Sequence, residues 1–160
     1  MSRWISLVLL LWPVLLSAQS LAPQSGELRR LGQKVTIVVQ PSSYISVFVD
    51  LHSNTQQARF SVTGGTGNID LYLKRGVPHR GNSAPALLSE STFAAISPNN
   101  NEILTALRGG NPTLTAGRWW LAIVNLSGSP QTLDLQFDEI TGGSAFALTT
   151  GQSGTWYDPA

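Results

Sequence analysis

Apolar and polar side chains alternate at a spacing of two in five short runs. Val35, Ile37 and Val39 alternate with Thr36 and Gln40, and Ile45, Val47, Val49 and Leu51 with Ser46 and Asp50. Phe60 and Val62 alternate with Arg59, Ser61 and Thr63. Ile69, Leu71 and Leu73 alternate with Asn68, Asp70, Tyr72 and Lys74. Leu133, Leu135 and Phe137 alternate with Thr132, Asp134, Gln136 and Asp138. This period predicts half-buried strands, because successive side chains of a strand point to opposite faces. Each run is therefore expected to have one dry and one wet side. Glu102 to Leu107 fits a strand or part of a helix. Arg118 to Leu126 is apolar on both faces, the pattern of a strand covered on both sides.

The connectors are strong breakers. Pro41-Ser42-Ser43, Gly64-Gly65-Thr66-Gly67, Gly76-Val77-Pro78, Pro98-Asn99-Asn100-Asn101, Gly109-Gly110-Asn111-Pro112 and Ser127-Gly128-Ser129-Pro130 all mark turns. No segment sustains a 3.6-residue apolar period. Many short strands with frequent turns predict an all-β fold, a β-sandwich of seven or eight strands in two antiparallel Greek-key sheets. Gly76 to Asn101 is too long for a hairpin loop and is expected to cross between the sheets, with a short helical turn near Leu87 to Phe93. Beyond Ile140, Gly142-Gly143 reads as a hinge, and Ala145 to Thr150 as a candidate eighth strand. Residues 141–160 are taken as a linker or the start of a further module.

The N-terminus changes the picture. Arg3 gives a positive start, Ile5 to Leu16 is apolar, and Ser17, Ala18, Gln19 and Ser20 supply small residues for cleavage. That order is a secretory signal. The run is shorter than the roughly 20 residues that cross a bilayer, and Pro13 interrupts it. Residues 1–18 are assigned to the signal, with cleavage after Ala18, and 19–27 to a flexible lead-in. The mature protein is expected to be secreted or periplasmic, monomeric, and free of the membrane after cleavage.

Arg3 leaves with the signal, so nine basic side chains then balance nine acidic ones. A near-zero net charge argues against nucleic acid as a partner. The chain has no cysteine, which removes thiol nucleophiles, thiolate metal sites and disulfides. The roughly 140 residues that remain are enough to bury a self-sufficient core.

Candidate chemistry is sparse. His52 and His79 are the only histidines, and no serine sits in a Gly-x-Ser-x-Gly elbow. Gly64-Gly65-Thr66-Gly67 lacks the Gly-Lys-Ser/Thr of a phosphate loop and reads as a tight turn. Asp70 and Glu102 are a candidate carboxylate pair if their strands are neighbours. Asn68, Asp70, Asn100, Asn101 and Glu102 carry the hard oxygens that suit calcium, although turn chemistry accounts for the same asparagines. Tyr72, Trp119 and Trp120, with Tyr44, are candidate contact rings for a polymer. Trp119 and Trp120 point to opposite faces of a strand, so one is expected in the core and the other partly exposed.

Four stretches, in order, resemble the bacterial pre-peptidase C-terminal domain family. They are Phe60 to Leu73, where a glycine-rich turn runs into Asp70-Leu71-Tyr72; Asn99-Asn100-Asn101-Glu102; Ala116 to Val124, an Ala-Gly-aromatic strand; and Gln131 to Phe137. The likeness covers residues 28–140. It departs at Asn68, where members carry a first Asp, and at Ile103, where members often carry a cysteine. Ser153 to Ala160 resembles the start of Trp-Tyr-x-Pro repeats of exported bacterial proteins.

The resemblance implies a jelly-roll-like sandwich that is not catalytic and serves as an accessory domain of exported proteins. It also implies no required cofactor, with calcium used by related modules. The expected function is contact with a companion domain, another exported protein or an extracellular polymer, protein or polysaccharide. Ion binding is expected at Asn68, Asp70 and Glu102, and ligand contact at Tyr72, Trp119 and Trp120. The other readings are a small exported hydrolase with a carboxylate site, and a structural N-terminal spacer.

Overall fold

The computed structural model describes residues 34–142 and the backbone of two short segments, Ala22–Pro23 and Arg29–Arg30. The signal sequence, most of the lead-in, the Ala145 to Thr150 run and the terminal aromatic segment lie outside the described residues.

Eight strands and one helix follow in order: β1 Lys34–Val39, β2 Ser43–Leu51, β3 Thr55–Thr63, β4 Ile69–Arg75, α1 Ala84–Glu90, β5 Phe93–Ala95, β6 Glu102–Leu107, β7 Gly117–Asn125 and β8 Gln131–Thr141. One sheet orders β1-β8-β3-β6 and the other β2-β7-β4-β5. All pairings among the eight are antiparallel. The pairs β1·β8, β2·β7, β3·β6 and β4·β5 are those of one long antiparallel ribbon rolled upon itself. That is the jelly roll. Ala22–Pro23 and Arg29–Arg30 run parallel to β2 along its other edge.

The dry faces meet as the alternation predicts. Ile37, Val39, Phe60, Val62, Leu133 and Leu135 from one sheet pack on Val47, Val49, Leu71, Leu73, Leu121 and Ile123 from the other. Each such side chain contributes about 1.5–3 kcal/mol by leaving water. Glu102–Leu107 is a strand, with burial alternating at every residue. Its free edge is closed at one end, where the Leu107 carbonyl accepts from the Leu114 N–H at 2.9 Å. β7 is covered on both faces, as its composition requires.

One expectation is borne out with a detour and another is corrected. The segment from Gly76 does cross between the sheets, but not at once. It runs over the outer face of β2-β7-β4-β5, forms α1 there, and returns to the same sheet as β5; only residues 96–101 cross. The helix lies three residues earlier than the turn expected near Leu87 to Phe93. Ser83 caps it by accepting from Ala86 N–H, with Pro85 in the first turn. Phe93 is withdrawn into a strand because its ring packs against Trp119, centroids 5.7 Å apart. The correction concerns β4. Its Asp70 and Tyr72 side is not wet but buried, because this segment covers it. Among the described residues, no helix is long and apolar enough to cross a membrane.

Candidate functional site

The covered outer face is a second, smaller core. Tyr44 on β2, Tyr72 on β4, and Ala122 and Val124 on β7 form its floor, and Leu87 of α1 is its roof. Asp70 and Tyr72 share this side, opposite Ile69, Leu71 and Leu73.

Asp70 is 1 % exposed. Tyr72 Oη donates to Asp70 Oδ2 at 3.0 Å, while Asp70 Oδ1 is buried with no hydrogen-bond partner. Two residues earlier, Asn68 Oδ1 is likewise buried and unpartnered. Ser97 joins this group to Glu102: its backbone N–H donates to the Asp70 carboxylate, and its hydroxyl donates to Glu102 Oε1. Burial pushes the Asp70 carboxyl above the ordinary aspartate range, and the nearby charge of Glu102 adds to this. Donation from Tyr72 and Ser97 works in the opposite direction. Burial and the neighbouring Asp70 carboxylate push the Tyr72 phenol up, so it remains a donor at any physiological pH.

The structure thus brings Asp70 and Glu102 together through Ser97, which sequence reasoning missed. A serine before Pro98 is ordinary turn composition, and nothing in the sequence distinguishes it. Among the described residues no three histidines, carboxylates or cysteines cluster. Hard carboxylate oxygens such as those of Asp70 and Glu102 are the kind that suit calcium, whose charge would relieve the Asp70–Glu102 repulsion.

The three candidate contact rings are placed differently. Tyr72 is buried beneath the second core. Trp119 is inside the sandwich, its indole N–H donating to Thr115 O at 2.7 Å. Trp120 does point to the other face, but it is only 6 % exposed. It packs on Phe48 with centroids 5.1 Å apart and donates to Gly76 O at 3.1 Å. The covering segment buries the side of the sheet on which a ring platform would stand.

The histidines sit in separate arrangements. His52 Nδ1 lies 3.0 Å from Glu139 Oε2 on an exposed turn, and the same carboxylate accepts from the Thr55 hydroxyl and the His52 backbone N–H. His79 is buried, with Nε2 2.9 Å from Ser91 Oγ, and that hydroxyl donates to Leu87 O. One histidine has a carboxylate and the other a hydroxyl. The glycine turn is likewise occupied: Gln131 Oε1 accepts from Thr66 N–H at 2.7 Å and Gly67 N–H at 3.1 Å.

No family model and no curated protein matches the chain. Among solved structures, the pre-peptidase C-terminal domain of collagenase from Bacillus anthracis is similar at 14 % identity and a TM-score of 0.46, over 70 % of this chain and 95 % of that one. PliG of Aeromonas hydrophila, a periplasmic inhibitor of g-type lysozyme, is similar at 10 % identity and a TM-score of 0.47, over 76 % of this chain and 96 % of that one.

Proposed function

We propose that this protein is a non-catalytic accessory domain of an exported bacterial protein. Its work is contact with a companion domain, another exported protein or an extracellular polymer. A calcium ion held by Asn68, Asp70 and Glu102 stiffens it.

The observation that carries the reading is the unequal treatment of the two sheets. The outer face of β2-β7-β4-β5 is sealed by the segment bearing α1. The outer face of β1-β8-β3-β6 is open, a four-stranded surface with Lys34, Thr36, Gln136 and Thr105 exposed. Four large apolar side chains, Val38, Ile103, Leu107 and Ile140, stand exposed on that face. Ile140 and Leu107 flank Gln57 in one cross-strand row. Exposed apolar groups set in a polar surface are the composition of a contact face. The polar groups that resemble catalytic ones are engaged in structure: Glu139 holds a turn, and the Ser91 hydroxyl closes a helix end.

Two measurements test this. Sedimentation with insoluble fibrous protein and with insoluble polysaccharide should show retention, which Ile103→Asp with Leu107→Asp abolishes while the melting temperature is kept. Melting in calcium against chelator should show a rise that Asp70→Ala and Glu102→Ala remove, because a ligand bound only by the native state stabilises it. Loss of turnover of a substrate in those two variants, with the fold intact, would replace this reading with a hydrolase.

A further inference from the structure

The segment that seals the second core is fastened along its length by one buried titratable side chain. Its ends are tied by backbone: Gly76 N–H donates to Arg118 O at 2.9 Å, and Thr92 N–H to Leu73 O at 2.8 Å. Between them, His79 is 5 % exposed. Its carbonyl accepts from Tyr44 Oη at 3.3 Å, and Nε2 meets Ser91 Oγ at 2.9 Å. Because the Ser91 hydroxyl donates to Leu87 O, it accepts from His79, so Nε2 carries the proton. Nδ1 is then a bare acceptor, and it is buried without a partner. A second proton there would meet no acceptor.

The groups facing His79 from each neighbouring element sharpen this. β4 contributes Lys74 and β2 contributes Tyr44. The end of α1 contributes Glu90, and the segment itself contributes Arg80. Lys74 Nζ lies 2.6 Å from Glu90 Oε2, which also accepts from Arg80 N–H at 3.1 Å. The one carboxylate near the imidazole is thus already engaged. Burial first, and then the Lys74 ammonium, hold the His79 imidazole down at about 4, against a weaker opposing pull from Glu90.

We infer that residues 77–92 form an acid-released strap, latched by neutral His79, whose opening uncovers the apolar floor of Tyr44, Tyr72, Ala122 and Val124. The sandwich core beneath the sheet is apolar throughout and does not respond to the same proton. Acid therefore opens the strap before it melts the domain.

The test is hydrogen exchange on the full protein between pH 7.5 and 4.5, corrected for the intrinsic rate. Strap amides should open on the order of fifty-fold more at pH 4.5, the ratio expected when the open form has an ordinary histidine. Amides of β3 and β8 should stay closed. His79→Gln, which can still donate to Ser91 but does not titrate, should abolish the pH dependence. An equal rise in His79→Gln, or a wild-type strap no more open at pH 4.5, overturns the proposal. Should that variant fail to fold, NMR of the wild type decides. The His79 ring must titrate together with strap opening, and titration with the strap closed overturns it.

Discussion

Tyr72 donates its hydroxyl to Asp70 two positions away on the same strand, at 3.0 Å, inside a cluster sealed from water. Alternation places both side chains on one face, and the strap makes that face dry. Tyr72→Phe should therefore cost about 1–2 kcal/mol, because it leaves a buried carboxylate oxygen without its donor. It should also drive the Asp70 carboxyl further up. Urea unfolding and carboxyl carbon NMR read the two effects.

Stability without divalent cations should depend on pH in two opposed ways. Asp70 titrates higher folded than unfolded, so its contribution is full below its ordinary value of 3.8 and is lost as pH rises through the folded value. Asp70→Asn should therefore melt above wild type in chelator at pH 7 and lose the calcium-dependent rise. His79 is held down, from 6.5 to about 4, so stability is lost as pH falls through that window. The full shift corresponds to about 3 kcal/mol. Calorimetry of the wild type, Asp70→Asn and His79→Gln across pH 3.5–8 separates the two (pH 3.5 lies on the order of the ordinary Asp value).

Asn125 should be among the least replaceable polar residues. It is fully buried, and its Nδ2 donates to Val39 O at 3.0 Å and Ser129 O at 2.8 Å, while Oδ1 accepts from Ser127 N–H at 2.9 Å. It ties the end of β1 to the turn before β8. Asn125→Leu should cost roughly 2–4 kcal/mol by stranding those backbone groups. Denaturant midpoints measure it.

Two glycines offer a matched pair. Gly65 has φ +71°, and a Cβ there would lie 2.7 Å from Gln131 Oε1 and 2.9 Å from Leu133 Cδ2. Gly65→Ala should destabilise by about 1–2 kcal/mol from backbone strain alone, with the displaced Gln131 adding to it. At Gly128 nothing lies within 4 Å of such a Cβ. Gly128→Ala should stay within roughly 0.5 kcal/mol of wild type. Parallel urea titrations suffice.

Alternation in the sequence foretold β1, β2, β3, β4 and β8, since a period of two means a strand wherever one face is buried. The doubly apolar Arg118 to Leu126 run foretold a strand buried on both sides. The Asp70–Glu102 pairing was legible only as a question about neighbours. Ser97, which joins them, carried no signal, because a turn serine looks the same whether or not its hydroxyl is spoken for. Likewise nothing in the sequence marks Gln131, yet its side chain fills the glycine turn.

The sequence by itself determined the strands, the turns between them and the apolar layer where they meet, because those depend on spacing along the chain. Only the tertiary structure decided that the Asp70, Tyr72 and Trp120 side is dry and that His79 is enclosed. Burial of a face depends on what distant chain comes to lie over it. Polar residues tolerate such cover when hydrogen bonds meet them there, so their polarity alone does not reveal it.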